Sequence, residues 1–471
     1  MILPTFSENY KDFQERHKVR LVEASGYRVY DGIIQERFQM FRTLLWVYSI
    51  FYTALLIFYL PVFLYRVIFQ DKSFTGLLKR ISIPALRISS DSKEPRLWIH
   101  AVSVGEVKAI QPLVDALSLN PDRLLISTIT DTGQSLAQSL FRERFQVLYF
   151  PLDWKWTCRR YLQAIRPSAV LLTETEIWPG FISAAQSLNV PVLLINGRFS
   201  DRSFRRYRRI RFFLRPLLQR IAHFCMQSRQ DKERILELGA APSRVNQLGN
   251  LKYDYQLPKD LEKRQTLELV RKVMKFAAHD LLWVCGSTRE GEEEILLEVF
   301  QALAREFPSL RLLLAPRHPH RAAGVSKLLE DRRLNYLKRS QLNSQTSTPP
   351  QVLLLDTIGE LSYLYELADV VFVGGSLVAT GGHNIIEAAY FGKPILFGPH
   401  MENFREISTA FLESYAALQA QSGEELISKI RDLLKDPAAR KWLGRNARKV
   451  IRDNQGAVRR TVEIVREYLE K

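Results

Sequence analysis

The chain has 471 residues, of which 46% are hydrophobic and 25% are charged. This composition excludes global disorder, and the length is too great for one compact core, so two domains are expected. The formal net charge of +17 predicts an anionic partner: nucleic acid, an acidic membrane surface or a phosphorylated substrate. The three cysteines lie far apart, without a CxxC pair, which argues against a disulfide framework or a structural zinc site.

A long apolar segment lies near the start of the chain. Residues 43–65, TLLWVYSIFYTALLIFYLPVFLY, carry no charge. As a helix they would be about 34 Å long, enough to cross a hydrocarbon core of about 30 Å. Pro61 leaves open a buried core helix or a helix in the membrane interface. We predict a membrane anchor over residues 43–69, and the basic residues after it place the bulk of the chain on the cytoplasmic side. Residues 1–42 receive no role.

Short apolar runs alternate with amphipathic stretches from about residue 96. The first series lies at 97–102, 123–129, 146–151, 169–174 and 190–196, and the second at 281–287, 310–316, 352–356, 369–374 and 394–398. Such alternation predicts an α/β protein with two doubly wound parallel sheets. We therefore expect Rossmann-like domains over 95–262 and 263–440, followed by a C-terminal helix over 441–471.

Acidic residues follow two strands of the first series. Glu106 comes after the first strand, in LWIHAVSVGE, and Glu174 after the fourth, in TETEIWPG, with Glu176 two residues later. Because ligands bind outside the carboxyl ends of parallel strands, Glu106 and Glu174 predict a general base with a supporting acid or electrostatic partner. Lys252, in GNLKYD, is placed to stabilise developing negative charge. The sequence has no metal-ligand cluster, so no metal is expected. It also has no Ser-His-Asp arrangement of the kind that nucleophilic hydrolases use.

Glycines and arginines follow strands of the second series. In VVFVGGSLVATGGHNIIEAAYFGKP, two glycine pairs precede a helix expected to begin near His383 or Asn384, with Glu387 on the same face as Asn384. Glycines let the backbone approach a phosphate, and a helix N-terminus attracts it, which predicts a nucleotide-sugar site. The arginines of APRHPHR suit an anion, or equally a solvated loop. The turn in DTIGEL suits base recognition or a capped helix, and the acidic run in GSTREGEEE suits a helix N-terminus.

A strongly basic stretch lies in the first predicted domain. Residues 197–220, GRFSDRSFRRYRRIRFFLRPLLQR, contain nine arginines and one acid, Asp201. A solvated basic helix is the simplest interpretation. Mutual repulsion among so many guanidinium groups nevertheless favours an anionic partner for this stretch.

Eight motifs, in order and with suitable spacing, resemble one family. They are HAVSVGE (100–106), TETEIWP (173–179), GNLKYD, GSTREGEEE, APRHPHR, DTIGEL, GGSLVATGGHNIIEAA and GKPILFGP. Together they resemble the 3-deoxy-D-manno-octulosonic acid (Kdo) transferases, which are GT-B glycosyltransferases of lipopolysaccharide assembly. The resemblance extends from about residue 45 to the C-terminus. It implies two Rossmann-like domains that face a cleft, the first for the acceptor and the second for CMP-Kdo.

The resemblance also implies a reaction, the inverting transfer of Kdo from CMP-Kdo to a lipid A precursor (lipid IVA), without a metal or cofactor. Glu106 would be the general base, and Glu174 and Lys252 would stabilise the transition state. The implied CMP-binding positions are Pro316, Arg317, Ile358, Gly359, Glu360, Asn384, Ile385, Ile386 and Glu387. Such an enzyme would work at the cytoplasmic side of the inner membrane. The residues expected to contact anionic lipid and acceptor phosphates are Arg202, Arg205, Arg206, Arg208 and Arg209.

Three positions depart from the family pattern. Arg289 stands where the family often has His, His320 where it often has Glu, and Ile385 where it often has Pro. Two alternatives to the Kdo transferase remain. Another membrane-associated GT-B transferase, with a different nucleotide sugar and lipid acceptor, should lack the HAVSVGE–TETEIWP pair. A membrane-tethered nucleic-acid-binding protein would explain the charge but not the glutamates at strand ends, so no nucleic-acid partner is expected.

Overall fold

The computed structural model describes residues 43–62, 65, 80–81, 95–255, 261–274, 280–342 and 349–470. The predicted N-terminal extension, residues 1–42, lies outside this part of the chain. So do most of the basic residues that follow the apolar segment 43–65, namely Arg66, Lys72, Lys79 and Arg87. The described part begins with helix α1, Thr43–Val62, which is long and apolar enough to cross a membrane and is therefore compatible with the predicted anchor.

The first domain is built on a seven-stranded parallel sheet, with the order β3-β2-β1-β4-β5-β6-β7. Its strands are β1 Leu97–His100, β2 Leu124–Thr128, β3 Gln146–Tyr149, β4 Ala169–Thr173, β5 Val192–Gly197, β6 His223–Met226 and β7 Val245–Gln247. Its helices are α2 Val104–Leu117, α3 Asp131–Phe141, α4 Lys155–Ile165, α5 Pro179–Ser187, α6 Asp201–Arg209, α7 Arg211–Leu218 and α8 Arg229–Leu238. Strands β1, β2, β4 and β5 are buried along their whole length, because helices cover both faces of the sheet.

The second domain repeats this architecture, with the order β10-β11-β9-β8-β12-β13-β14. Its strands are β8 Leu281–Thr288, β9 Leu310–Pro316, β10 Tyr336–Lys338, β11 Val352–Leu354, β12 Val370–Val373, β13 Ile395–Phe397 and β14 Leu418–Gln419. Its helices are α9 Leu261–Val273, α10 Glu292–Glu306, α11 Ala322–Asp331, α12 Leu361–Leu364, α13 Ile386–Tyr390, α14 Arg405–Glu413 and α15 Gly423–Lys435. The two predicted doubly wound sheets are therefore confirmed.

The C-terminal segment is divided differently from the predicted single helix over 441–471. Helix α16, Pro437–Asn454, begins earlier because the Asp436 side chain caps its first backbone amides. Helix α17, Ala457–Leu469, then returns to the first domain and packs in the core around β1 and α2. Asp254 fixes the start of α17 by accepting from the backbone N–H groups of Gly456, just before the helix, at 2.6 Å and of Val458, in its first turn, at 2.7 Å. The last helix thus packs on the first domain, and the domain bounds given above stay predictions.

Four short strands are not predicted by the hydrophobic pattern, namely β6, β7, β10 and β14. They have two to four residues and include polar side chains such as His223, Asn246 and Lys338. Strands β7, β10 and β14 form sheet edges, where one side of the strand is less covered. Short edge strands need no continuous apolar run, so the pattern that finds buried strands misses these three, whereas β6 lies inside the sheet between β5 and β7.

Each sheet reverses its winding between two central strands. In the first sheet β1 lies between β2 and β4, and in the second β8 lies between β9 and β12. Open α/β sheets bind ligands in the crevice at the carboxyl ends of such strand pairs. Glu106 follows β1 and Glu174 follows β4, whereas Arg289 follows β8 and Gly375 follows β12. The sequence motifs therefore fall at both switch points.

Candidate active site

Glu106 lies in the first turn of α2 and is only 7% exposed. Its Oε2 accepts from the backbone N–H of Val102 at 2.8 Å, and its Oε1 accepts from the Ser103 hydroxyl at 2.9 Å. Burial, and then the nearby Glu174 carboxylate, raise the pKa of Glu106 to about 7. A carboxylate held in place with this pKa can act as a general base near neutral pH.

Glu174 follows β4 with a backbone φ of 58°, a left-handed conformation that residues other than glycine seldom adopt. Its carboxylate joins two cations, since Arg198 Nε donates to Oε2 at 2.9 Å and Lys252 Nζ donates to Oε1 at 3.4 Å. The Lys252 ammonium also lies 5.7 Å from the centre of the Phe404 ring in the second domain. Glu174 and Lys252 thus lie together, and Arg198, one of nine arginines in its stretch, joins them without having been singled out by the sequence.

A third carboxylate, Glu176, shares this edge of the first sheet. Burial, and then the charge of Glu106, raise the pKa of Glu176 to about 8. Neighbouring carboxylates resist ionising together, so the charge of Glu106 favours a protonated Glu176. This edge therefore holds buried carboxyl groups whose pKa values are raised towards neutral pH.

Cationic and imidazole side chains gather at the switch point of the second sheet. Arg289 donates from Nη1 to His318 Nε2 at 3.0 Å and from Nε to His383 Nε2 at 3.3 Å. The backbone N–H of Arg317 donates to the Thr288 carbonyl at 2.9 Å, which holds the predicted Arg317 at the end of β8. Burial, and then the charges of Arg317 and Arg289, lower the pKa of His383 to about 3, so its ring stays neutral. This edge is suited to a phosphate group.

The glycine turn after β12 is held by Glu292, a fully buried residue at the start of α10. Its carboxylate accepts from the backbone N–H groups of Gly375, Ser376 and Leu377 at 2.7, 3.1 and 2.9 Å, and from that of Arg289 at 3.1 Å. Gly375 has a φ of 67°, which favours glycine. Glu292 belongs to the acidic run that the sequence assigns only to a helix N-terminus. No local sequence pattern indicates that the Glu292 carboxylate bonds to a turn more than eighty residues further along the chain.

Helix α13 begins at Ile386, slightly later than expected. Asn384 Oδ1 accepts from Ile386 N at 3.1 Å, and Asn384 Nδ2 lies 3.4 Å from Glu387 Oε1, so the predicted polar pair shares one face. The side chains of Ile385 and Ile386 are fully buried in the core, and the expectation that these two positions bind the nucleotide stays a prediction. Lys108 of the first domain lies 3.9 Å from Glu387 Oε1, so this helix faces the cleft.

The remaining predicted nucleotide contacts differ in their exposure. Ile358 is 83% exposed, and Gly359 beside it has a φ of 85°. Glu360 is already engaged, because Arg339 Nη2 donates to its Oε1 at 2.9 Å. Pro316 is buried at the end of β9. The Ile358 side chain is therefore free to contact a ligand, while Glu360 supports the turn and Pro316 supports the strand.

The predicted arginine surface is exposed on α6. All five of its members, Arg202, Arg205, Arg206, Arg208 and Arg209, are exposed. Arg208 lies 3.9 Å from Glu237, whereas the other four make no ion pair within the described part of the chain. Phe212, at the start of α7, is 65% exposed beside them. This surface combines positive charge with an exposed aromatic ring.

Comparison with known proteins identifies the family. The model of the 3-deoxy-D-manno-octulosonic-acid transferases (kdotransferases) matches residues 76–255, and that of the glycosyl transferases group 1 matches residues 292–450. A 3-deoxy-D-manno-octulosonic acid transferase of Haemophilus influenzae is 34% identical over 378 residues, covering 80% of this chain and 87% of the relative. A bifunctional glycosyltransferase/methyltransferase of Fusobacterium nucleatum is 37% identical over 79% of this chain, which spans only 57% of that relative.

The solved structures agree on the fold. A glycosyltransferase of Rickettsia africae superposes with a TM-score of 0.51 at 13% identity, covering 81% of this chain and 100% of that one. Together with the group 1 family match and the two parallel sheets, this confirms the predicted GT-B architecture. The chain is a glycosyltransferase and belongs to the 3-deoxy-D-manno-octulosonic acid transferase family.

Proposed function

We propose that the enzyme transfers Kdo from CMP-Kdo to a hydroxyl group of a phosphorylated lipid A precursor, with inversion at the anomeric carbon. Family membership supports the transferred sugar. The observation that carries the assignment of roles is the contrast between the two switch points, one lined by carboxylates and the other by cations. Lys108 and Glu387, 3.9 Å apart, span the cleft between the two domains. The base and the nucleotide site therefore lie in different domains that face each other.

The proposed reaction is a single displacement. Glu106 takes the proton of the acceptor hydroxyl, and the acceptor oxygen attacks the anomeric carbon of Kdo from the face opposite CMP. The bond between that carbon and the phosphate oxygen breaks, and its electron pair leaves with CMP. Arg289 and Arg317 stabilise the charge that grows on the leaving phosphate, and Lys252, held by Glu174, stabilises charge on the acceptor side. The proton then passes from Glu106 to solvent.

The proposed location is the cytoplasmic face of the inner membrane. Helix α1 supplies apolar surface for the hydrocarbon region. The five exposed arginines of α6 suit an anionic leaflet and the acceptor phosphates, since a basic residue near such a surface gains about 1 kcal/mol. The acceptor domain thus meets its lipid substrate where that substrate is anchored.

Mass spectrometry of the lipid product tests this function. Full-length protein in detergent micelles is incubated with CMP-Kdo and a tetraacylated lipid A precursor, beside a matched preparation carrying Glu106→Gln. We expect wild-type protein to add Kdo to the lipid and to release CMP, and the variant preparation to do neither at a comparable rate. Transfer from a different nucleotide sugar, with none from CMP-Kdo, would contradict the proposal and favour another GT-B transferase.

A further inference from the structure

One face of the apolar helix α1 is bonded to the first domain. The Tyr48 hydroxyl donates to Asp153 Oδ2 at 2.8 Å, and the backbone N–H of Asp153 donates to the Tyr52 hydroxyl at 3.3 Å. At the residue after Tyr52, Trp154 Nε1 donates to Thr53 Oγ1 at 2.9 Å. Residues four apart, such as Tyr48 and Tyr52, share a helix face, so this face of α1 lies against the first domain.

Aromatic packing supports the same contact. Tyr48 stacks on Phe213 of α7 with ring centres 6.2 Å apart, and Tyr52 meets Trp154 edge to face at 6.3 Å. Leu45 packs against the core cluster that covers one side of the first sheet. The N-terminal half of α1 is thus part of the first domain, although the matched family segment begins only at residue 76.

The buried carboxylate at the centre of this contact, that of Asp153, accepts hydrogen bonds from the segment that follows Glu174 and Glu176. Asp153 is 1% exposed, and it accepts from the backbone N–H groups of Gly180 at 3.0 Å and Phe181 at 2.7 Å. These amides lie in the first turn of α5, where the adjoining Trp178 side chain supplies no cap. A carboxylate in this position stabilises a helix start. A Cβ at Gly180 would lie 2.1 Å from the Asp153 carbonyl oxygen, so the two segments touch at a glycine.

Helix α5 begins directly after the loop that carries Glu174 and Glu176. We infer that Asp153 is a positioning residue that couples α1 to this loop, so that the apolar helix helps to hold the catalytic carboxylates as well as to anchor the protein. The inference rests on the proposed function only for the role given to Glu174. The chain of contacts runs from Tyr48 through Asp153 to the amides at the start of α5.

The substitution Tyr48→Phe tests this coupling in the full-length protein, because it removes one hydroxyl and keeps the helix apolar. Ser49→Ala is the matched control, since among the described residues the Ser49 hydroxyl donates to the Leu45 carbonyl of the same helix, at 2.9 Å, and to no group of the first domain. We expect Tyr48→Phe to raise hydrogen exchange at the amides of Gly180 and Phe181 and to lower kcat about tenfold. The KM for CMP-Kdo and binding to phosphatidylglycerol-containing vesicles should stay within about twofold of wild type.

The outcomes are distinct. Asp153→Asn should show the same rise in hydrogen exchange and a larger loss of kcat, because the hydrogen bonds from the backbone N–H groups of Gly180 and Phe181 both weaken. Unchanged exchange at α5 in both variants would overturn the coupling, as would a loss of vesicle binding with unchanged kcat, which would make α1 a tether alone. If wild-type protein does not transfer Kdo, the proposed function fails, while the exchange measurement still decides the coupling.

Discussion

The two sheets have closely similar parallel architectures but opposite chemistry at their carboxyl edges. The first edge gathers the carboxylates Glu106, Glu174 and Glu176, and the second gathers Arg289 and Arg317 with two neutral imidazoles. In the first edge burial raises carboxyl pKa values, whereas in the second burial and cationic neighbours lower the pKa of an imidazole. The fold thus selects where ligands bind, and a few side chains at the switch points decide whether that place removes protons or holds an anion.

The largest expected effect is the loss of turnover when the general base of the first edge, Glu106, is removed. Glu106→Gln keeps the shape of the side chain but cannot take a proton, so we expect turnover to fall by about 10²–10⁴. Glu143→Gln, an exposed carboxylate of the same domain, is the matched control. Steady-state assays with saturating CMP-Kdo measure the effect. Turnover of the Glu106 variant within about tenfold of wild type would remove Glu106 as general base.

Nucleotide binding at the second edge should depend on Glu292. Glu292→Gln leaves one acceptor oxygen for four backbone N–H groups, so the glycine turn loses its support and CMP affinity should fall about a hundredfold. Glu290→Gln is the control, because that side chain is 85% exposed and pairs with Arg321 outside the turn. Calorimetric titration with CMP measures the difference, and circular dichroism checks that the variant is folded. Equal affinities in the two variants would show that this turn does not bind the nucleotide.

Charge reversal on α6 should affect only the acceptor side. Replacing Arg202, Arg205 and Arg209 by glutamate should raise the KM for the lipid acceptor at least about tenfold and leave that for CMP-Kdo unchanged. A control triple with the same charge change uses the exposed residues Arg142, Arg305 and Arg466. If the α6 variant keeps its lipid kinetics but loses affinity for DNA or RNA, the surface serves nucleic acid instead.

The pH dependence of kcat/KM should report the ionisation of Glu106 at the first edge. Because the pKa of Glu106 is raised to about 7 and the base must be ionised, kcat/KM should fall as the pH drops below about 7. The expected loss is about tenfold per pH unit, with a plateau above pH 7. Initial rates at low CMP-Kdo concentration across the pH range measure it. A profile that stays flat through this range would contradict the assignment.

The smallest effects are expected at α13. Asn384→Ala and Glu387→Ala should each weaken CMP binding by up to about tenfold, because each removes one polar contact from the cleft face of the helix. Glu424→Ala, another glutamate in the first turn of a helix, should change nothing. Calorimetry distinguishes these cases. Unchanged affinity in both α13 variants would remove this helix from the nucleotide site.

Sequence reasoning succeeds where a pattern is local and fails where a contact is remote. The long buried strands and the carboxylates that follow β1 and β4 are local patterns, and their positions follow from the rules of parallel sheets. The bonds from Glu292 to the glycine turn and from Asp153 to α5 join segments far apart in the chain. Ile386 shows a third case, since the resemblance assigns this motif position to CMP binding while its side chain lies in the core.

The assignment of proton removal to the first edge and nucleotide binding to the second is tested most directly by calorimetry. CMP is titrated into the variants Glu106→Gln and Glu292→Gln side by side. We expect wild-type CMP affinity for the Glu106 variant, which should be catalytically inactive, and a loss of CMP affinity of about a hundredfold for the Glu292 variant. The reverse result, with CMP binding lost on changing Glu106 and retained on changing Glu292, would contradict it.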